Sequence, residues 1–185
     1  QYWQSLLANE GRPLINRAVQ GLYPPGSTFK AVTAVAALNH ANIADPEDIS
    51  CPNELVTENG APPVVNAVDQ EENYSVQRHG PDYGLDAVFA FSCNTAFAQY
   101  GLRLEEEGAN LLAEQAERFH IYPPNKAPDS SDLTDLQNTL PSTLFSTDDA
   151  FNQPVEIADT AFGQGQLQVT PLQMAQVVQA IGNDG

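Results

Sequence analysis

Positive charge is scarce in this sequence. Its 185 residues contain seven Lys and Arg against 24 Asp and Glu, which gives a formal net charge of −17 at pH 7. Nucleic acids and anionic membrane surfaces are both bound through clustered positive charge. We therefore expect no nucleic acid and no anionic lipid surface among the partners of this chain.

Long hydrophobic runs and cysteines are also few. No apolar run reaches the roughly 18 residues that a membrane-spanning helix needs, although hydrophobic residues make up 42% of the chain and suffice for a core. The cysteines are Cys51 and Cys93, too few for a disulfide scaffold or a zinc site. The chain starts at Gln1 with neither an initiator Met nor a signal peptide, so we expect a piece of a longer protein.

Turn residues and apolar spacing predict a mainly helical chain. Residues 1–26 are typical of extended structure and turns. Ser27 is an N-cap type of residue that follows a Pro-Pro-Gly breaker, and it predicts a helix to about Asn42. Further helices are predicted at 85–91, from 92–94 to Tyr100 with Gly101 ending it, at 108–119 and at 170–181. Short strands are predicted at 54–57 and 63–67 around an Asn59-Gly60 turn, and a long surface excursion at 122–153.

A hydroxyl and an amine lie three residues apart at the start of the first predicted helix. Residues i and i+3 share a helix face, so the Lys30 amine can reach the Ser27 hydroxyl. A serine becomes a good nucleophile when a base takes its proton, and a lysine can be that base when burial lowers its pKa. The residues around Lys30 are apolar, which favours burial. The alternative is an N-cap serine beside a lysine whose amine extends to water.

Three longer stretches resemble penicillin-binding proteins, the peptidoglycan transpeptidases. Tyr23-Pro-Pro-Gly-Ser-Thr-Phe-Lys30 is similar to the active-serine segment of that family. Phe91-Ser-Cys-Asn-Thr-Ala-Phe-Ala98 looks like its Ser-x-Asn motif. Gly163-Gln-Gly-Gln-Leu-Gln-Val-Thr-Pro-Leu-Gln-Met-Ala175 is similar to the stretch before its third motif. The order is that of the family, and the resemblance covers nearly the whole chain.

The resemblance implies a role for four residues. Ser27 would be the acylated nucleophile and Lys30 its base. Ser92 would relay a proton to the leaving amine, and Asn94 would bind the substrate amide and help to hold Lys30. The alternative role for Ser92 is that of N-cap of the helix that follows. Cys93 is expected to be small core filler, and although an extracytoplasmic setting would permit a Cys51–Cys93 bridge, free thiols are the expectation.

The third motif of the family, Lys-Thr-Gly, is absent. The two lysines are Lys30 and Lys126, and each is followed by Ala. We therefore expect residues 1–185 to be a single incomplete transpeptidase domain: a mainly helical fragment of an α+β fold that lacks most of its antiparallel sheet. Without the substrate-carboxylate contact and one oxyanion donor, this piece alone should acylate slowly or not at all, because one such donor can contribute about 100-fold in rate.

The resemblance also implies a reaction and a location. The intact enzyme would cross-link peptidoglycan through an acyl-serine, with stem peptides as substrates and β-lactams as inhibitors. It would need no metal or organic cofactor and would work at the extracytoplasmic face of the bacterial cell membrane, with a membrane anchor. A second chain or a swapped segment could cover the missing sheet. Two alternatives stay open: a β-lactam sensor or serine β-lactamase, and a non-catalytic interaction module.

Overall fold

The computed structural model describes residues 2–40, 49–67, 84–108, 110–127, 139–145 and 153–183. The prediction of a mainly helical chain is confirmed. The helices are α1 (Tyr2–Leu7), α2 (Arg17–Gln20), α3 (Lys30–Asn39), α4 (Leu85–Ala90), α5 (Asn94–Glu107), α6 (Leu111–Arg118), α7 (Pro154–Ala161) and α8 (Pro171–Gly182), with short 3-10 helices at Gly26–Phe29 and Pro124–Lys126. The strands are β1 (Glu54–Leu55), β2 (Val64–Val65), β3 (Ile121–Tyr122) and β4 (Ser142–Thr143).

Helix α5 lies at the centre of the core. Phe97, Tyr100 and Leu104 on this helix are fully buried. The prediction that Gly101 ends the helix is wrong, because α5 continues to Glu107. Gly101 instead lets α7 approach: a Cβ at this position would lie 2.5 Å from the Ala161 Cβ. The glycine therefore serves close helix packing, which the sequence does not distinguish from a helix end.

The first predicted helix begins later than expected. Ser27 lies inside the 3-10 helix, and α3 begins at Lys30. Ser27 is therefore not the N-cap that the sequence predicted. The neighbouring Thr28 makes the local side-chain bond, with its hydroxyl donating to the Pro25 carbonyl at 2.8 Å. The predicted end at Asn42 lies outside the described residues.

The β-hairpin is confirmed. Strands β1 and β2 pair antiparallel, with Glu54 opposite Val65. The turn between them closes where Ala61 N–H donates to the Glu58 carbonyl at 3.3 Å, and Gly60 has a positive φ of 91°. The hairpin brings β2 beside the start of α5.

The remaining elements divide between confirmed and missed predictions. Helices α4 and α8 match the prediction, and the Thr170 hydroxyl caps α8 by accepting from Gln173 N at 3.2 Å. Helix α6 is shorter at both ends than predicted. Helices α1, α2 and α7 were not predicted, although Pro154 at the first turn of α7 is a start signal. Of the 122–153 excursion, β3, a 3-10 helix and β4 are described, and β3 pairs parallel with β4.

No helix within the described part of the chain is both long and apolar enough to cross a membrane.

The expectation of free thiols is wrong. Cys51 and Cys93 form a disulfide, and both residues are at least 97% buried, with exposures of 3% and 2%. Cys93 also caps α5, because its sulfur accepts from Ala96 N at 3.3 Å. The bridge ties the segment before β1 to the turn that begins α5. Sequence reasoning named this bridge as an alternative but favoured free thiols, because two cysteines 42 positions apart carry no sign of their proximity.

We expect Cys51→Ser/Cys93→Ser to lower the free energy of unfolding by about 4 kcal/mol, because a bridge across a loop of this length restricts the unfolded chain. Serine at position 93 keeps an oxygen that can cap α5, so the variant isolates the loss of the bridge. Urea unfolding with and without a phosphine reductant measures the effect. Reductant should destabilise the parent and leave the variant unchanged; equal stability of parent and variant would contradict the prediction.

Candidate active site

The Ser27–Lys30 pair is set by the join between the 3-10 helix and α3. The three-residue separation brings Lys30 Nζ to 3.3 Å from Ser27 Oγ. Ser27 is exposed, whereas Lys30 has 1% of its surface accessible. The Ser27 hydroxyl is therefore accessible, whereas the neighbouring Lys30 amine is shielded from solvent. The alternative of a lysine extending to water does not hold.

Ser92 lies in a tight turn between α4 and α5. This residue has a left-handed backbone, φ 56°, and its N–H donates to the Phe89 carbonyl at 3.0 Å. The turn points both Ser92 oxygens at the lysine: Oγ lies 3.0 Å and the carbonyl oxygen 2.6 Å from Lys30 Nζ. Cys93, not Ser92, is the N-cap of α5. Ser92 is therefore turned toward Lys30 and does not cap the helix.

Asn94, the first residue of α5, has a defined amide orientation. Its Nδ2 donates to the Val65 carbonyl of β2 at 2.9 Å, and its Oδ1 accepts from Lys30 Nζ at 2.7 Å. A carbonyl can only accept, so the Val65 oxygen must face the NH₂ side of the carboxamide. The hairpin thereby directs the amide oxygen at the lysine.

Ser27, Lys30, Ser92 and Asn94, which we call the Lys30 cluster, thus surround one amine. Within the described residues no carboxylate pairs with Lys30, and the Phe97 ring lies below it, with Nζ 5.6 Å from the ring centroid. Burial lowers the pKa of Lys30 from 10.5 to about 8.

The neutral amine has two N–H donors and one lone pair. The Ser92 carbonyl and Asn94 Oδ1 can only accept, and they take both donors. The lone pair is then left for a hydroxyl, that of Ser27 or Ser92. This arrangement suits proton transfer between the amine and either serine.

Two glycines position the serine segment against the third predicted stretch. Gly26 N donates to the Gly163 carbonyl at 2.9 Å. A Cβ on Gly163 would lie 1.8 Å from the Gly26 carbonyl oxygen, and the residue has a φ of 91°. Beside them, Tyr23 and Val169 exchange two backbone hydrogen bonds of 2.9 Å. The Gly163–Val169 segment therefore supports the residues that lead into Ser27.

Sequence reasoning selected the four members of the Lys30 cluster and missed their supports. Val65 acts through its backbone carbonyl, for which a sequence has no signal. Asn66 and Thr95 hydrogen-bond across the start of α5, and Phe97 lies under the amine. Phe97 occurs in the quoted Ser-x-Asn stretch, three positions after Asn94, and that helical spacing could have identified it.

A lysine amine in reach of two serine hydroxyls, one from Ser-x-x-Lys and one from Ser-x-Asn, is the arrangement expected of the class of proteins that carries these two motifs. The model of the penicillin binding protein transpeptidase domain matches residues 3–185. The chain belongs to this family.

Relatives with known names support the assignment. The chain is 34% identical over 187 aligned positions to the peptidoglycan D,D-transpeptidase PbpA of Mycobacterium tuberculosis, covering all of this chain and 34% of that protein. It is 27% identical to MrdA of Haemophilus influenzae, over 99% of this chain and 26% of that protein. The chain thus spans between about a quarter and about a third of the length of these curated relatives.

Solved structures agree. The ceftriaxone acyl-enzyme complex of M. tuberculosis penicillin-binding protein A superposes with a TM-score of 0.76 at 30% identity, over 99% of this chain and 37% of that one. The D,D-transpeptidase domain from Eggerthella lenta gives a TM-score of 0.72 at 31% identity, over all of this chain and 42% of that one.

We expect Gly163→Ala to lower the free energy of unfolding by about 2 kcal/mol or more, because the new methyl meets a backbone carbonyl and the backbone is left-handed. Gly182→Ala is the matched control, since nothing lies within 4 Å of a Cβ there, and it should leave stability unchanged or slightly higher. Urea denaturation measures both. Equal effects of the two substitutions would show that the Gly163–Gly26 approach does not constrain the fold.

We expect the stability of the parent to rise relative to Lys30→Met between pH 8 and pH 10.5. In this interval folded Lys30 has lost its proton whereas the unfolded chain still binds it, so unfolding takes up a proton and becomes less favourable as pH rises. Urea unfolding at pH 7 and pH 10 measures the difference. Lys126→Met removes an exposed lysine (60% accessible), and its stability should change with pH as that of the parent does. A difference between parent and Lys30→Met that is independent of pH would contradict a lowered pKa.

Proposed function

We propose that the complete protein containing this chain is a peptidoglycan D,D-transpeptidase that acts through an acyl-serine at Ser27. The observation that carries the proposal is the Lys30 amine, buried without a carboxylate partner in the described structure and in reach of two hydroxyls. With its pKa lowered to about 8, a fraction of this amine is unprotonated near neutral pH and can take the proton of a serine nucleophile.

The proposed steps follow the distances. Lys30 takes the proton of Ser27 Oγ, 3.3 Å away, as that oxygen forms a bond to the penultimate D-Ala carbonyl carbon of a stem peptide. Ser92, 3.0 Å from Lys30 Nζ, gives its proton to the leaving D-Ala nitrogen as the peptide bond breaks, and is reprotonated from Lys30. A stem-peptide amine then attacks the acyl-enzyme, the same steps run in reverse order, and Ser27 is released.

The remaining parts of the proposal rest on the family. Relatives are named peptidoglycan D,D-transpeptidases, and related structures are described as acyl-enzyme complexes with ceftriaxone, penicillin G and imipenem. These names support stem peptides as substrates, β-lactams as acylating inhibitors and a location outside the cytoplasmic membrane. Residues 1–185 are then part of one transpeptidase domain. The substrate carboxylate would be bound by residues outside this sequence, because it contains no Lys-Thr-Gly.

We expect the complete protein to gain the mass of one penicillin on incubation with a fluorescent penicillin, and Ser27→Ala to abolish the adduct, because no acyl bond can form without Oγ. Intact-mass spectrometry measures both. Thr28→Ala is the matched control: it removes the adjacent hydroxyl, which bonds to Pro25 and not to Lys30, and should keep the adduct.

Other outcomes of the same experiment bear on the serine β-lactamase and on the non-catalytic module. An adduct that hydrolyses within seconds would favour a serine β-lactamase. No adduct on a folded complete protein would favour a non-catalytic module. An adduct that persists in Ser27→Ala would remove Ser27 as the nucleophile.

A further inference from the structure

Asn66, directly after β2, connects three segments that meet beside the Lys30 cluster. Its Oδ1 accepts from Thr95 N at 3.2 Å, and its Nδ2 donates to the Pro52 carbonyl at 2.8 Å and lies 3.3 Å from Thr95 Oγ1. The same NH₂ group lies 3.7 Å from Cys51 Sγ in the disulfide. One half-buried carboxamide thus joins the hairpin, the segment before β1 and the start of α5.

The orientation of this carboxamide is determined by its partners. Thr95 N–H can only donate and the Pro52 carbonyl can only accept, so only one of the two amide orientations satisfies both. Thr95 completes the contact, because its buried hydroxyl donates to the same Pro52 carbonyl at 2.7 Å. An asparagine supplies the acceptor and both donors on one short planar group, which an alanine or serine does not.

Asn66 acts as a helix cap supplied by another segment. The first backbone N–H groups of a helix have no partner within it. In α5, Ala96 N–H is satisfied by Cys93 Sγ and Thr95 N–H by Asn66 Oδ1. The bond to Asn66 therefore fixes where α5 begins relative to the hairpin.

The beginning of α5 determines the position of Asn94. Adjacent residues of the hairpin hold adjacent residues of α5: the Val65 carbonyl accepts from Asn94 Nδ2, and Asn66 Oδ1 accepts from Thr95 N. Asn94 Oδ1 in turn accepts from Lys30 Nζ at 2.7 Å. Release of Thr95 would let the first turn of α5 move away from β2, and Asn94 would lose its fixed distance to Lys30.

We propose that Asn66 is a positioning residue of the Lys30 cluster, acting through the start of α5 on the Asn94 carboxamide. It touches no reacting atom, and its effect on acylation rests on the proposed function of Ser27 and Lys30. A displaced group at a reacting centre costs up to about 100-fold in rate per ångström.

The test is a double-mutant cycle on the complete protein, with the rate of acylation by a fluorescent penicillin as readout. Asn66→Ala should lower the rate on the order of 10-fold. In the Asn94→Ala background the same substitution should change it by less than about 2-fold, because residues that act as a unit are not additive. Asn39→Ala is the matched control: Asn39 also makes a side-chain bond, Nδ2 to Gln115 Oε1 at 2.8 Å, but outside the site, and its rate should equal that of the parent.

A purely structural role gives a different result. It would lower stability in Asn66→Ala without lowering the rate of the folded protein, or lower the rate by the same factor with and without Asn94. Either outcome overturns the proposal. Where Asn66→Ala does not fold, Asn66→Asp replaces it: aspartate keeps the acceptor for Thr95 N–H, so the rate should stay within about 3-fold of the parent. A folded Asn66→Asp as slow as Asn94→Ala also overturns it.

A second readout does not depend on acylation. The side-chain NH₂ resonances of Asn94 in a ¹⁵N-labelled sample should shift and exchange faster with water in Asn66→Ala, and remain close to those of the parent in Asn66→Asp and Asn39→Ala. Unchanged Asn94 resonances in a folded Asn66→Ala overturn the positioning role. If the parent is not acylated, the proposed function of Ser27 fails, and this measurement still decides the role of Asn66.

Discussion

The lysine amine at the centre of the site constrains its surroundings more than any other group does. Burying an ammonium without a carboxylate is unfavourable, and Lys30 is 1% exposed. Hydrogen bonds to neutral oxygens offset part of this unfavourable free energy, and burial lowers the pKa of Lys30 to about 8. The residues that supply these oxygens lie in different local structures: Ser27 in a 3-10 helix, Ser92 in a left-handed turn and Asn94 at the start of α5. Together these three residues provide every oxygen that contacts the amine within the described residues.

Backbone hydrogen bonds, a disulfide and the Asn66 carboxamide hold those three elements in place. Gly163 lies against Gly26 on one side of the site, where no side chain fits. On the other side, the β1–β2 hairpin and the Cys51–Cys93 bridge hold the turn that carries Ser92 and Asn94. Supports of this kind keep the lysine amine and the two serine hydroxyls at fixed distances, which proton transfer between them requires.

Much of the fold followed from local signals, whereas the membership of the Lys30 cluster followed from the Ser27–Lys30 spacing together with the family resemblance. Thr170-Pro171 marked the start of α8 and Asn59-Gly60 marked the hairpin turn, because capping and turn conformations depend on a few neighbouring residues. The same locality explains the errors. Gly101 has the signal of a helix end, yet it serves contact with Ala161, 60 positions away in the chain. The disulfide, too, depends on a proximity that only folding creates.

Residue types and their spacing were enough to predict a serine and a lysine one helical turn apart, a Ser-x-Asn motif, a mainly helical chain and a family resemblance carried by three stretches. The neighbours of those residues depend on the folded chain. Folding placed Ser92 and Asn94, which lie more than 60 positions after Lys30 in the chain, within 3.0 Å of Lys30 Nζ, and it buried the amine. It also brought the two cysteines close enough to form a disulfide and Asn66 to the start of α5. The reason is physical: residue types fix which hydrogen bonds and proton transfers are possible, whereas burial, amide orientation and pKa depend on neighbours that are distant in sequence.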